Sequence, residues 1–430
     1  MPTSDNQGSK VELVRAIGRW SLTAAVINGV IGSGIFGMPS AVTGLVGIWS
    51  PVAVLLAGGS IFAVVLCFAE VGSRFEDAGG PYLYTREAFG PAIGFQVGWL
   101  HVWTRLLSAA AVLNILVSYL ALLIPAVGTP HWRLFTMTAG MGLVTWINVR
   151  GVRQAAWAVN TFTVAKLLPL FLLIILGVFS LKREILATQA VESPGWIEAL
   201  LLLVFAYGGF ESSVVTASET RDPKRNTAFA LIVGMGTVTL VYGLVQLAVI
   251  GVLPHAARSS TPVASALGEL LGPAGLVVGS LAVIVSVYGW LTGFSLTTPR
   301  ILYSMAERRE LPTSLGDVHP VFRTPHKAIL INSAVALGLG LYGSFTQTAT
   351  LAAVTRLGYY GLTCAALIIL RRRSDLTPGF HLPGGRVIAI IGIAFCLWLL
   401  GTRNLAQAWT LMIIVAVGGL LWLISRRNVN

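Results

Sequence analysis

The stretch A-A-V-I-N-G-V-I-G-S-G-I-F at residues 24–36 decides the fold of this chain. It lies inside an apolar run long enough to cross a membrane, and Pro39 follows it. Its middle contains a cluster of small residues that weaken a helix: Gly29, Gly32, Ser33 and Gly34. Hydrocarbon offers no water to free N–H and C=O groups, so irregular backbone persists there only beside a cavity or a ligand. The stretch therefore predicts a membrane helix that is broken to form a binding site.

The chemistry of a broken helix suggests a kind of ligand. The N-terminal end of the second half-helix carries partial positive charge and attracts an anion such as a carboxylate. The carbonyl end of the first half-helix attracts a cation such as an ammonium group. One break therefore suits a zwitterion, and we predict an amino acid.

The composition of the chain is that of a membrane protein with many spans. Of its 430 residues, 55% are hydrophobic and 11% are charged, and the mean hydropathy is +0.79. A soluble domain averages about 25% charged residues. Apolar runs of roughly 20 residues predict about twelve transmembrane helices. Their approximate cores are residues 22–42, 49–69, 95–120, 134–148, 156–181, 196–218, 228–250, 276–298, 328–341, 351–370, 387–400 and 406–424.

The net charge of +12 could indicate a nucleic-acid partner, but its distribution indicates a bilayer instead. With the N-terminus on the inner side, 21 of the 29 Lys and Arg residues fall on that side. Only five fall on the outer side: Arg133, Lys182, Arg183, Arg258 and Arg403. The positive-inside rule then predicts a multi-pass protein of the cell membrane with both termini in the cytoplasm and no nucleic-acid partner.

The sixth predicted span, like the first, is interrupted by glycines near its middle. It reads L-L-L-V-F-A-Y-G-G-F-E at residues 201–211, with two glycines near its middle. Interrupted helices five spans apart indicate an inverted repeat, in which the two breaks meet near the bilayer midplane. We expect four parts: a cytoplasmic N-terminal segment, two five-helix repeats, and a final helix pair with a short cytoplasmic C-terminus. Their bounds are residues 1–19, 20–181, 182–370 and 371–430.

Five motifs, in order along the chain, resemble the amino acid–polyamine–organocation superfamily of transporters. They are I-G-S-G-I-F at 31–36, A-E-V-G-S-R-F-E-D-A-G-G-P-Y-L-Y at 69–84, F-A-Y-G-G-F-E at 205–211, E-T-R-D-P-K-R-N at 219–226 and P-R-I-L-Y-S-M-A at 299–306. The resemblance implies an all-α membrane fold with a five-plus-five inverted repeat and broken helices 1 and 6. It does not specify the substrate.

Residues 32–37 also match the pattern G-x-G-x-x-G, which has two competing interpretations. A dinucleotide site needs a preceding strand and an acidic residue about 20 positions later, and the flanks here are an apolar span. Close packing of small residues between helices is the second alternative. The preferred interpretation is a helix break that binds the substrate. In the resembling family, the residues that correspond to the following positions bind it: Val30, Ile31, Gly32, Ser33, Gly34 and Ile35. Free amides around Ser33, Gly34 and Ile35 would hold the carboxylate, and the Val30 and Ile31 carbonyls would face the ammonium.

The second break supplies the matching predicted contacts. The carbonyls of Phe205, Ala206 and Gly208 are predicted to accept from the ammonium, and Phe205 or Tyr207 is predicted to cover the substrate. Phe205 lies where resembling antiporters place a gating aromatic. Phe294 in the eighth span is either a pocket residue or an ordinary packing residue.

Four charged residues lie inside predicted spans. Because a charge at mid-bilayer costs about 2.5–3.5 kcal/mol on insertion scales, each is expected to have a structural or functional role. Lys166 resembles a fifth-span lysine of sodium-independent members, where the ammonium stands in for a sodium ion between spans one, five and eight. It could also carry a coupling proton, or lie at the membrane interface. We expect Arg105 to pair with Glu211 across the site. Arg356 is either an outer-vestibule gate or an arginine reaching the membrane surface.

No catalytic cluster, metal signature, cofactor motif or ATP-binding loop is apparent, so we expect a secondary transporter and not an enzyme. The predicted function is alternating-access transport of a small or medium neutral amino acid, independent of sodium and either coupled to protons or exchanging. The alternatives are a cationic amino acid or polyamine antiporter, a sodium-coupled transporter of the same architecture, and a ligand-binding receptor of transporter fold. The oligomeric state is not predicted.

Overall fold

The computed structural model describes residues 18–32, 34–75, 79–150, 153–215, 220 and 222–427, without the side chains of 153–165, 213–215 and 427. This part of the chain contains helices and no β-strand. The α-helices are α1 Arg19–Val30, α2 Gly34–Val46, α3 Ser50–Gly72, α4 Gly80–Phe89, α5 Pro91–Leu123, α6 Pro130–Arg150, α7 Arg153–Phe179, α8 Arg183–Ala187, α9 Trp196–Ala206, α10 Phe210–Val215, α11 Pro223–Val252, α12 Pro262–Leu271, α13 Pro273–Glu307, α14 His326–Tyr342, α15 Phe345–Leu370, α16 Gly385–Gly401 and α17 Leu405–Arg427.

Twelve spans can be traced through these described helices. Two of them are broken, α1 with α2 and α9 with α10, and α4, α8 and α12 are connectors. By length and composition alone, six helical segments in the described part of the chain could cross a membrane. The predicted all-α membrane architecture with broken first and sixth spans is confirmed.

The inverted repeat is visible in its connecting helices. The helices α4 and α12 each follow the second span of their repeat, have ten residues and carry a proline in the first turn. Each ends at a glycine with positive φ, Gly90 at 91° and Gly272 at 65°, a conformation that glycine adopts without strain. A proline then opens a long helix, of 33 residues in α5 and 35 in α13. The same local pattern thus occurs once in each half of the chain.

The two broken spans lie at the centre of the bundle. The half-helix α1 packs against α10 and α2 packs against α9, so the breaks adjoin. The backbones approach closely here, since a Cβ on Gly34 would lie 3.0 Å from the Ala206 Cα. The long helices α5, α13 and α15 surround them, while α16 and α17 carry many exposed apolar side chains that suit contact with lipid.

Most predicted spans are extended by a few residues at their ends, and α5, α6, α11 and α13 begin at prolines that lie outside the predicted apolar cores. The eighth span is predicted at residues 276–298 and observed as Pro273–Glu307. Its additional C-terminal residues include Arg300, Ser304 and Glu307, so the helix continues past the uninterrupted apolar run. The division of the chain into repeats at residues 181 and 182 stays a prediction.

Candidate functional site

The first break follows Val30. Ile31 leaves the helical conformation, with φ −68° and ψ 76°, and the Gly32 amide donates to the Val30 carbonyl over 2.7 Å. The second half-helix begins at Gly34. The first amides of any helix have no partner within it, so the start of α2 can bind an anion. Ser33, which we predicted to contribute to this anion site, lies outside the described residues.

The second break consists of Tyr207, Gly208 and Gly209, between the end of α9 and the start of α10. The two glycines meet different surroundings: backbone at Gly209 and the end of an arginine side chain at Gly208. Gly209 has φ 119°, and a Cβ there would lie 2.2 Å from the Gly29 carbonyl oxygen. A Cβ on Gly208 would lie 1.9 Å from the Arg356 Cζ. The second break can therefore sit against the first, and an arginine can reach between them.

A narrow space of about 20 Å³ separates the breaks, room for about one water molecule. Its lining includes backbone of both breaks and three large side chains: Arg105, Trp290 and Arg356. A larger cavity of about 210 Å³ adjoins it and shares Gly29, Arg105 and Trp290 with it. This cavity lies on the side of α1 and α10, where Asn28, Lys166 and Ser212 contribute to its wall. We call these two adjoining spaces the central site.

Arg356 of α15 occupies the second break. It is 4% exposed, and its Nη1 donates to the Phe205 carbonyl at 3.1 Å and to the Val204 carbonyl at 3.4 Å. Its Nε lies 3.4 Å from Glu211 Oε1. The prediction of an outer-vestibule or surface-reaching arginine is therefore wrong. A buried carboxylate and the carbonyl end of α9 hold this guanidinium inside the bundle.

Glu211 is fully buried, and its partners come from α15 and the second break. Tyr359 Oη donates to Oε1 at 2.8 Å, while Tyr360 Oη at 3.1 Å and the Gly209 amide at 2.8 Å donate to Oε2. Arg356, Tyr359 and Tyr360 are three and four residues apart, so they share one helix face. The R-L-G-Y-Y spacing of residues 356–360 is the sequence signal that could have identified this cluster.

Arg105 of α5 does not pair with Glu211, so that prediction is wrong. Its Nη2 donates to Thr297 Oγ1 at 3.2 Å and its Nε to Thr298 Oγ1 at 3.4 Å. The guanidinium lies 4.9 Å from the centre of the Trp290 ring, a cation–π contact. No carboxylate contacts Arg105 in the described part of the chain. Glu211 is unavailable because Arg356 and two tyrosines already surround it.

Lys166 of α7 caps the carbonyl end of α1. Its Nζ donates to the Asn28 carbonyl at 2.7 Å and to the Ile31 carbonyl. Ser286 of α13 lines the same cavity. The ammonium thus lies among the first, fifth and eighth spans, where the sequence predicted a stand-in for sodium. Whether it carries that role stays a prediction.

The structure separates the three predicted aromatic residues. Phe205 lines the narrow space and meets the Phe345 ring edge-on at 6.2 Å. Tyr207 points away from the site, because its hydroxyl donates to the Val54 carbonyl at 2.8 Å, so it is not the substrate cover. Phe294 is fully buried and stacks on Trp290 at 5.7 Å, which leaves Trp290 on the cavity wall. The sequence analysis missed Trp290, although it lies one helical turn before Phe294.

Tyr242 of α11 joins the two breaks, and no sequence signal distinguishes it from an ordinary core tyrosine. Its hydroxyl lies 2.8 Å from the Val30 carbonyl and 3.2 Å from the Ala206 carbonyl. With Lys166 on Ile31 and Arg356 on Phe205, four of the predicted ammonium acceptors lie within hydrogen-bond distance of a donor group. The single Tyr242 proton serves either the Val30 or the Ala206 carbonyl at one time. Each carbonyl oxygen has two lone pairs, so a ligand can share these acceptors or displace a donor.

Comparisons with known proteins agree with this architecture. The structure resembles Mhp1, a nucleobase-cation-symport-1 family transporter in a closed conformation with bromovinylhydantoin bound, with a TM-score of 0.57 and 16% identity over 92% of this chain and 96% of that one. The sequence is 28% identical to the serine/threonine exchanger SteT of Bacillus subtilis (strain 168), over 98% of this chain and 97% of SteT. It is 31% identical to the large neutral amino acids transporter small subunit 2 of Oryctolagus cuniculus, over 88% of this chain and 74% of that protein. The amino acid permease family model matches residues 17–423. The chain belongs to the amino acid permease family.

Proposed function

We propose that this permease is a sodium-independent secondary transporter that holds its amino acid substrate between the two breaks and works by alternating access. The observation that carries the proposal is the meeting of the N-terminus of α2 with the carbonyl ends of α1 and α9 around one space. The first end suits a carboxylate and the other two suit an ammonium group. The relatives named for serine and threonine exchange and for large neutral amino acids support the same class of substrate.

Independence from sodium is supported by Lys166. Its ammonium already supplies a cation to the carbonyls of Asn28 and Ile31. The carbonyl end of a helix carries a partial charge of about −0.5, which one fixed cation is enough to neutralise. A sodium ion bound there would be repelled by Lys166. The relative named as an exchanger supports exchange as the transport mode, with proton coupling as the alternative.

The substrate would enter and leave on the side of the larger cavity in this conformation. The distribution of basic residues favours a cytoplasmic N-terminus, and in that orientation this side would be the inner one and the conformation inward-facing. Arg356 fills the narrow space at the second break. We propose that it holds the place of the substrate ammonium and moves toward Glu211 when the substrate binds.

The charges of the site bear on the choice among substrates. The sequence analysis favoured a neutral amino acid on the expectation that Arg105 and Glu211 neutralise each other. A cationic substrate would need the Glu211 carboxylate to be without a protein cation. Glu211 accepts from Tyr359, Tyr360 and the Gly209 amide, and Arg356 lies beside it. A cationic amino acid or polyamine therefore has no available carboxylate in the described part of the central site.

Uptake into proteoliposomes tests this proposal. We expect radiolabelled amino acid uptake to be equal in sodium and choline buffers and to increase when the vesicles contain unlabelled substrate. Lys166→Gln should lower uptake roughly ten- to hundredfold, because two carbonyls lose a charged donor. Lys182→Gln, a change at an exposed lysine between α7 and α8, is the matched control.

Three other outcomes would contradict the proposal in different ways. Uptake that requires sodium would support the sodium-coupled alternative. Saturable binding without uptake would indicate a receptor of transporter fold. Failure of folded protein to bind any amino acid would overturn the assignment of an amino acid substrate.

A further inference from the structure

We infer that the substrate carries a second negative charge, a side-chain carboxylate that binds Arg105, an inference that rests on the amino acid transport proposed above. Neither the permease family nor the names of the relatives specify such a substrate. The inference comes from the balance of charges around the central site and from the position of one guanidinium in its wall.

The charges around the central site do not cancel. Among the described side chains, three cations and one carboxylate line its two spaces or contact the residues that do: Arg105, Lys166, Arg356 and Glu211. Arg356 lies beside Glu211 and the carbonyl end of α9. Lys166 lies on the carbonyl end of α1. Each of these two cations therefore has a compensating negative charge, formal or partial.

Arg105 is the one of these three cations that contacts neither a carboxylate nor a helix carbonyl end in the described structure, although Glu211 attracts it from beyond contact distance. Its neighbours are two threonine hydroxyls and the face of Trp290, which are neutral. An arginine at this depth is costly unless an anion joins it. It also lines both spaces of the central site, so an anion bound there would be part of the bound substrate.

The α-carboxylate of an amino acid is not the best match for Arg105. The N-terminus of α2 offers that carboxylate the amides of Gly34 and Ile35, across the narrow space. The larger cavity continues from Arg105 toward Thr297 and Gly293 of α13, away from the start of α2. Its volume of about 210 Å³ is several times the roughly 30 Å³ that a water occupies in the liquid. The cavity has room for a short side chain ending in a carboxylate, which would reach the guanidinium.

Binding to purified full-length protein tests the inference with two isosteric pairs of ligands. The pairs are glutamate with glutamine and aspartate with asparagine, with thermal stabilisation and equilibrium binding as the measurements. We expect at least one acidic ligand to bind more than tenfold more tightly than its amide. Arg105→Gln should weaken that acidic ligand roughly ten- to hundredfold and leave its amide little changed, because only the charged contact is lost. Arg105→Lys, which keeps the charge, should retain part of the preference.

The control is Arg150→Gln. Arg150 also lies over a tryptophan ring, 4.2 Å from the centre of Trp146, but it is exposed on α6, outside the central site. Its substitution should leave the acidic preference intact. If Arg105→Gln does not fold, the preference of the unsubstituted protein still decides the question.

The outcomes separate this inference from the proposed function. Tighter binding of the amides, or equal binding within each pair, would overturn the inference and leave amino acid transport standing. Equal loss of acid and amide in Arg105→Gln would also overturn it, since Arg105 would then bind the α-carboxylate. No binding by either member of any pair, nor by any other amino acid, would overturn the proposed function itself.

Discussion

The closest charge contact in the central site is between Arg356 and Glu211, and it is testable by a double-mutant cycle. Removing one partner leaves the other buried without its counter-charge, which costs about 3–5 kcal/mol in soluble proteins. We expect Glu211→Gln and Arg356→Gln each to lower the melting temperature strongly, and the double variant to be more stable than the sum of the single losses predicts. Strict additivity in thermal unfolding would contradict the pairing.

Arg105 provides the control for that cycle. It has no direct contact with Glu211, so Arg105→Gln and Glu211→Gln should have nearly additive effects. A coupling between these two as large as that between Arg356 and Glu211 would restore the pairing that the sequence analysis proposed.

Individual residues also show where sequence reasoning stops. Charges in apolar spans identify Arg105, Lys166, Glu211 and Arg356 as special, because hydrocarbon penalises each of them. The contact between Arg356 and Glu211 depends on the rotation of α15 about its axis and on its distance from the second break, which hydropathy does not report. The carbonyl contacts of Lys166 lie where the sequence placed this residue. The position of Arg356 inside the second break became apparent only from the packing of the helices.

Among the elements, the second broken span depends on one glycine. Gly209 has φ 119°, and an added Cβ would lie 2.2 Å from the Gly29 carbonyl of α1. We expect Gly209→Ala to lose about 1–3 kcal/mol through strain and overpacking and to lower transport, because the two breaks would be forced apart. Thermal unfolding and proteoliposome uptake measure the two effects.

Gly236→Ala is the matched comparison on an unbroken helix. Gly236 lies on α11, is exposed, and has no atom within 4 Å of an added Cβ. Alanine is favoured over glycine in a helix interior by about 1 kcal/mol, so this variant should be neutral or more stable. If both variants behaved alike, the close approach of the breaks would not be required for stability or transport.

The breaks themselves were predictable from the sequence, because a cluster of glycines destabilises a helix and suits an apolar span mainly where the backbone must open. The sequence does not indicate which side chains from other helices contact the breaks. Trp290 and Tyr242 look like ordinary core aromatics in the sequence, yet one lines the cavity and the other joins both breaks. Such roles arise from which helix face meets the centre of the bundle.

For the whole molecule, the position of the larger cavity predicts accessibility from one side of the membrane. Ser212 lies in its wall. We expect Ser212→Cys to react with an impermeant maleimide from the cytoplasmic side and to be protected by substrate. The three native cysteines are free and buried, so the background labelling should be low. Mass spectrometry of labelled membranes of each orientation gives the measurement.

Thr129→Cys is the labelling control for the outer side of the membrane. Thr129 is exposed in the turn between α5 and α6, on the other side of the predicted membrane. It should react only from outside. Labelling of Ser212→Cys from outside, with Thr129→Cys reacting from inside, would reverse the orientation predicted from the basic residues.

At this scale the sequence predicts the architecture well and the conformational state not at all. The odd spacing between two interrupted spans is enough to indicate an inverted repeat. The side on which the site opens depends on small differences in packing between two similar halves, which leave no trace in composition. The cavity beside α1 is therefore information that only the structure supplies.

The uncompensated charge of Arg105 has an electrical consequence. A cation that moves through the membrane field gains or loses about 2.3 kcal/mol per 100 mV for each elementary charge that crosses it fully. With the cell interior negative, the voltage would hold the ligand-free carrier in its inward-facing form. A substrate with one net negative charge would neutralise the charge of Arg105, so the voltage would no longer favour the inward-facing form of the loaded carrier. The membrane potential itself would then favour one-for-one exchange over net uptake.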